Sequence, residues 1–412
     1  MINKNRLFYG SCFALITTAF SFSIRAGIMP QLEEQLGLTA TQLGFTNQMW
    51  FWGFPISMII GGMIYHKVGG SKIMQFAFFA HAIGILLTIF ASSYGILLFS
   101  SLLIGLGNGC TEAACNPMIA DAYEGNTMSK MMNRFHMWFP GGILLGSLLS
   151  QAMTSMNWGW HLQVALILVP TVIYAYLFYG QQWPAAKTAA EASLSSNVSA
   201  MLKPLFIFIL VCMAFTATSE FGPNQWVPLT LQGSGATPML VLALTFGVMA
   251  VARYFGGHAV AQFNTTGVLL GSAILASLGL YLLSSMSGAM VYLAAVVYGL
   301  GIAYFWPNMI GFTAEYIPKS GALGMSIVGA MGMFMSGLVQ PIFGGLIDSN
   351  REMMAAEGLT GDALSMATGK MTLSTMSLVP LVLIVLFTIL YFWMKNRSKT
   401  GSADSATIAT EY

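Results

Sequence analysis

Apolar residues fall into twelve long runs, at about 7–29, 40–65, 72–93, 95–122, 134–156, 160–180, 204–230, 236–259, 266–286, 289–314, 321–347 and 371–395. A helix needs about 20 apolar residues to cross the hydrocarbon core of a bilayer, so each run predicts one membrane-spanning helix. Polar breaks between the runs are short except at two places. Residues 181–203 are small and polar and read as a linker. Residues 348–370 are acidic and polar, and Asp348 and its neighbours read as a solvated loop. The segment from Lys395 onward is polar and is expected to be a disordered tail.

Composition supports lipid as the solvent. Charged residues make up 7% of the chain, hydrophobic residues 56%, and mean hydropathy is +0.72. A water-facing surface of this size needs far more charge. The net charge of +2 suggests no nucleic-acid partner. Cys12, Cys110, Cys115 and Cys212 all lie in apolar runs and form no metal or disulfide pattern. Lysine and arginine concentrate on one side of the predicted bundle, which places both termini and the linker in the cytoplasm and the chain in the cell (inner) membrane.

The runs repeat. Gly61-Gly62 ends the second and Gly256-Gly257 the eighth, while Gly105–Gly107 and Gly299–Gly301 are GLG triplets in the fourth and tenth. Both pairs are offset by about 195 residues, which implies two six-helix halves related by an axis along the membrane normal. Twelve helices as six plus six with a central linker resemble the layout of the major facilitator superfamily, which implies an all-α major facilitator fold of twelve transmembrane helices in two pseudo-symmetric bundles. Its parts are residues 1–180, a cytoplasmic linker 181–203, residues 204–395 and a tail 396–412.

The segment Gly62–Lys72, GMIYHKVGGSK, resembles the loop motif of the major facilitator superfamily. Gly62, Lys67 and Gly69 match it, and His66 stands where the motif has aspartate. The resemblance implies a cytoplasmic latch made of Gly62, His66, Lys67 and Gly69. Glu112-Ala-Ala-Cys-Asn116-Pro117, Asn133-Arg134-Phe135-His136 and Tyr304-Phe-Trp306-Pro307 are similar to the fucose–proton symporter family. That resemblance implies a part for Glu112 in proton and sugar handling. The first helix lacks the family's acid, with Arg25 preceding Met29-Pro30-Gln31 instead.

An ionised group inside a bilayer costs several kcal/mol unless it is paired or hydrated. Arg25, Glu112, Glu220 and Arg253 are the four such groups well inside spans. Arg25 and Glu220 are 195 residues apart, so they occupy equivalent places in the two halves. They are expected to pair and to act with Glu112 in coupling and gating. The rival readings are a static salt bridge, or Arg25 as the contact for an anionic substrate. Arg253 reads as a snorkelling or inner-gate residue. Glu112 stands between Asn108 and Asn116 at helical spacing, which predicts one polar stripe suited to hydroxyl groups, or a helix-packing network.

Amide and aromatic side chains complete the expected substrate site: Gln48, Asn108, Glu112, Asn116, His136, Trp138, Asn224, Gln225, Trp226, Trp306 and Asn308. The chain carries no phosphate-cradling loop for ATP and no catalytic or metal motif. The leading expectation is therefore a non-enzyme importing a monosaccharide, without cofactor or metal, by symport with a proton or sodium. Its partners are the lipid bilayer and a small sugar-like molecule, and it works as a monomer. Alternatives are a sugar-acid or organic-anion importer, a proton-coupled drug exporter, and a non-transporting sensor.

Overall fold

A computed structural model describes residues 2–184 and 194–408, with backbone alone at 125, 126, 129, 194–197, 256–259, 322 and 397–408. The described residues form twelve helical rods. In the first half these are α1 (Lys4–Leu36), α2 (Ala40–Val68), α3 (Gly70–Ile89), α4 (Tyr94–Ala122), α5 (Gly125–His136 and Trp138–Ser155) and α6 (Trp160–Ala165 and Leu168–Phe178). In the second they are α7 (Pro204–Thr230), α8 (Pro238–Tyr254), α9 (Gly256–Ser285), α10 (Met290–Ile302 and Phe305–Tyr316), α11 (Gly321–Ala356) and α12 (Gly361–Met376 and Leu378–Ile408). A short helix, Leu194–Met201, precedes α7 within the expected linker, most of whose remainder lies outside the described residues. The segment expected to be a disordered tail continues α12 as far as Ile408.

Local chemistry sets the helix ends. Asn3 caps α1 by accepting from the Arg6 amide, and Gly37 stops it at φ 64°, a left-handed conformation that glycine adopts without a Cβ penalty. Thr39 and Gln42 form a reciprocal capping box at the start of α2. Proline occupies the first position of α7 and α8, where its missing N–H costs nothing.

Nine rods are long and apolar enough to span a membrane among the described residues, and the other three are α2, α5 and α8. Each of those three packs on the opposite half, α2 on α11 and α5 on α8. A helix covered by protein on one face can carry amides and glycines that lipid would reject.

The two halves are structural repeats. A Cβ on Gly105 would strike the Trp50 carbonyl of α2, and one on Gly299 the Thr245 carbonyl of α8. One on Gly107 would strike His81 of α3, and one on Gly301 Ala276 of α9. Trp50 and Thr245, like His81 and Ala276, are 195 residues apart. The packing partners thus repeat with the glycines, so the internal repeat is one of three-dimensional structure.

Candidate functional site

The halves meet on the side away from the termini, here called the distal side. Asp348 of α11 accepts from the amides of Ala40 and Thr41 at 3.0 and 2.8 Å and from the Thr41 hydroxyl at 2.6 Å. The carboxylate caps α2 from the other half, where the helix dipole also favours negative charge. This corrects the reading of Asp348 as part of a solvated loop, because α11 runs one turn and more past it to Ala356. Arg351, three residues on, pairs with Glu33 of α1 at 2.6 Å.

Deeper in, aromatic rings from both halves fill the axis. Phe22 of α1 lies 5.8 Å from Trp50, 6.0 Å from Phe221 and 5.8 Å from Phe246, ring centroid to centroid. Phe51 and Phe139 pack on the same Phe221, and Trp306 of α10 touches it from the other side at 5.9 Å. Gln225 of α7 ties the layer together by donating to the Phe22 carbonyl at 3.0 Å. Trp52 stacks on Phe334 of α11 and donates to its carbonyl at 3.1 Å.

The membrane charges do not form the expected pair. Glu220 Oε1 is bonded to Arg253 Nη2 of α8 at 3.1 Å, while Arg25 donates to Ser101 Oγ at 2.9 Å and toward the Thr46 carbonyl at 3.5 Å. Although the two residues are 195 positions apart, their side chains leave their helices toward different neighbours. Arg25 turns into its own half, between α1, α2 and α4. Arg253, expected to snorkel or gate, instead neutralises a fully buried carboxylate.

Two prolines build the Glu220 site. Pro307 has no N–H to give Ala303, the residue one turn earlier, and α10 is interrupted there. The free Ala303 carbonyl accepts Arg253 Nε at 2.9 Å. Pro223 likewise frees the Ser219 carbonyl, which accepts the Tyr298 hydroxyl at 2.7 Å. Asn224 donates to the Glu220 carbonyl in the same turn.

The predicted polar stripe on α4 divides. Asn116 donates to the Glu112 carboxylate, and both are half-buried. Asn108 is fully buried and bonded to His81 Nε2 at 2.9 Å, with the Tyr174 hydroxyl on His81 Nδ1 at 2.9 Å. Sequence reasoning assigned His81 no role; its place one helix away from the α4 glycines gave no signal until Gly107 was seen to abut it. Of the other expected site residues, Gln48, Asn224, Gln225 and Trp226 are buried. Trp138, Trp306 and Asn308 are half-buried, and His136 is exposed. The expected latch residues Gly62, His66, Lys67 and Gly69 are exposed on the terminal side, and Gly62 faces open space.

A membrane bundle of two repeated six-helix halves that pack on each other is the architecture of a polytopic transporter. Residues 11–340 match the sequence profile of the Major Facilitator Superfamily, and the chain belongs to that superfamily. A probable anion transporter of Arabidopsis thaliana chloroplasts is 25% identical over 142 residues, 33% of this chain and 26% of that protein. The aligned stretch thus spans about a quarter of the plant protein. Among solved structures, a bacterial homologue of the human lysosomal transporter Spinster superposes with TM-score 0.77 at 14% identity, covering 94% of this chain and 96% of that one. The fucose:proton symporter of E. coli superposes with TM-score 0.60 at 16% identity, over 92% and 98%. Likeness at these identities shows the fold, and the narrower fucose-symporter resemblance stays a matter of function to be tested.

Proposed function

We propose that this transporter imports a monosaccharide-class solute by symport with a proton or sodium, the two halves rocking about the aromatic layer. The observation that carries this reading is Glu112. Its half-buried carboxylate is held by Asn116 and has no basic partner among the described residues. A carboxylate so placed can take a proton or sodium and can bind a hydroxyl group, and a neutral sugar adds no second negative charge beside it. Trp138 and Trp306, both partly exposed, offer flat apolar faces to a sugar ring. With the basic terminal side placed in the cytoplasm, the Asp348 and Arg351 contacts hold the two halves together at the outer side.

A second reading is an organic-anion carrier. It is favoured by Arg253, whose side chain is 22% exposed although its partner Glu220 is buried, so a substrate carboxylate could exchange for Glu220. The anion transporter named among the relatives is in keeping with it.

Uptake into proteoliposomes separates the two. A panel of neutral hexoses and sugar acids is offered with and without an imposed proton or sodium gradient. Gradient-driven accumulation of a neutral hexose, lost in Glu112→Gln while equilibrium exchange persists, is the expected result. Uptake confined to sugar acids and abolished by Arg253→Gln would transfer the assignment to the second reading.

A further inference from the structure

Among the described residues Arg25 has no counter-charge. A cavity of about 30 Å³ lies against it inside the first half, lined also by Ser21, Thr46, Thr88, Ser101 and apolar side chains of α1, α4 and α6. No carboxylate lines it. Of the guanidinium nitrogens, Nη1 alone makes hydrogen bonds, to a neutral hydroxyl and a carbonyl. Nε is buried with no hydrogen-bond partner. The guanidinium stays protonated in proteins. An uncompensated charge in a membrane bundle is costly, and this one has hydroxyl groups around it and a small space beside it. The other buried arginine-side pairing in the molecule, Arg253 with Glu220, shows the fold compensating such a charge where a carboxylate is in reach.

The geometry points to a bound monovalent inorganic anion, chloride under ordinary ionic conditions, seated between Arg25 and Ser101. The space is lined by hydroxyl groups and apolar side chains with no carboxylate among them, a lining that suits a small monovalent anion. The Ser101 hydroxyl already accepts from Arg25, so its proton is free to donate to the anion. The site sits directly behind the aromatic layer, since Ser21 on its wall accepts from Trp50 Nε1 at 3.0 Å and from Asn108 at 3.4 Å. Anion occupancy therefore braces the faces of α1, α2 and α4 against which the two halves move. This inference is independent of the identity of the transported solute.

Equilibrium binding of radioactive chloride to the purified full-length protein in detergent tests it, alongside thermal unfolding in chloride against gluconate at equal ionic strength. Saturable binding near one chloride per chain is expected, displaced by bromide but not by gluconate or acetate. Melting temperature should rise with chloride over the same concentration range. Ser101→Ala should weaken binding about tenfold, the worth of one hydrogen bond to a charged group. Arg25→Gln should lose saturable binding and the chloride response, and Arg25→Lys should retain part of both. The inference is overturned if wild type binds no saturable chloride. It is overturned equally if Ser101→Ala and Arg25→Gln bind as wild type does, or if acetate and gluconate compete as well as bromide, which would make Arg25 a contact for organic anions. Should Arg25→Gln not fold, Ser101→Ala and Arg25→Lys carry the test.

Discussion

Asp348 on α11 caps the first turn of α2 across the boundary between the halves, its carboxylate 2.8 Å from the Thr41 amide. A side-chain cap is usually a local device, formed by the residue just before the helix, and α2 has that too in Thr39. The second cap is supplied by the other half and must break whenever the halves part on the distal side. Loss of a capping carboxylate costs about 1–2 kcal/mol, which shifts a two-state balance roughly 5–30-fold. Asp348→Ala should therefore raise the outward-open population by about that factor. Spin labels at the exposed Glu34 and Glu357, one in each half, report the separation. An unchanged distance distribution in Asp348→Ala would show that the cap does not hold the halves together.

Breaking the Glu220–Arg253 pair from one end should differ from breaking it at the other. Glu220 is 1% exposed, so Arg253→Met strands a buried carboxylate, a loss of about 3–5 kcal/mol. Glu220→Gln leaves Arg253 with the Ala303 carbonyl and partial exposure, and should cost about 1 kcal/mol. The double variant should be more stable than Arg253→Met alone. Thermal unfolding of the three variants measures the cycle, and simple addition of the two single losses would mean that the pair is not coupled.

The apolar runs were enough to place all twelve helices, because a bilayer demands a long apolar stretch of most spans and protein cover lets α2, α5 and α8 depart from it. Glycine offsets were enough to reveal the repeat, because close helix approach leaves room for no side chain at Gly105 or Gly299. Side-chain direction was not legible. Arg25 and Glu220 occupy equivalent positions, yet partner choice depends on which neighbour presents a free group. For Arg253 that group exists only because Pro307 cannot donate to Ala303, a link between two residues on different helices. Asp348 was misread for the opposite reason: a polar, acidic stretch looks solvated until the helix end it caps is brought from the other half. The same limit applies to Asn108, whose spacing from Glu112 put both on one stripe while His81 drew it into the bundle.

Restoring the missing amide should be informative. Pro307→Ala supplies an N–H that competes with Arg253 for the Ala303 carbonyl. Pro307 lies in the first turn after the break, where proline costs a helix little, so the gain comes from letting the two segments of α10 join through the Ala303 carbonyl. The Arg253 anchor should weaken at the same time. Melting temperature is expected to hold or rise while the transport rate falls severalfold. A variant that melts earlier and transports at the wild-type rate would show that the interruption of α10 has a packing role alone.

Glycine substitutions distinguish positions that carry the repeat from positions that merely recur in sequence. Gly105→Ala puts a methyl against the Trp50 carbonyl, and Gly299→Ala puts one against the Thr245 carbonyl. Backbone atoms cannot swing aside as a flexible side chain can, so the helices must separate, at about 1–3 kcal/mol for the overpacking. Gly62→Ala, within the loop-motif segment, meets nothing within 4 Å. It lies in a helix, where alanine is favoured over glycine by about 1 kcal/mol, so that variant should be as stable as wild type or more so. If Gly62 nevertheless belongs to a latch that closes the terminal side, Gly62→Ala should leave the melting temperature untouched and slow only the step in which that side closes. Rates of solute exchange measured against rates of net uptake resolve this. Equal loss of stability in Gly62→Ala and Gly105→Ala would contradict the packing described for both.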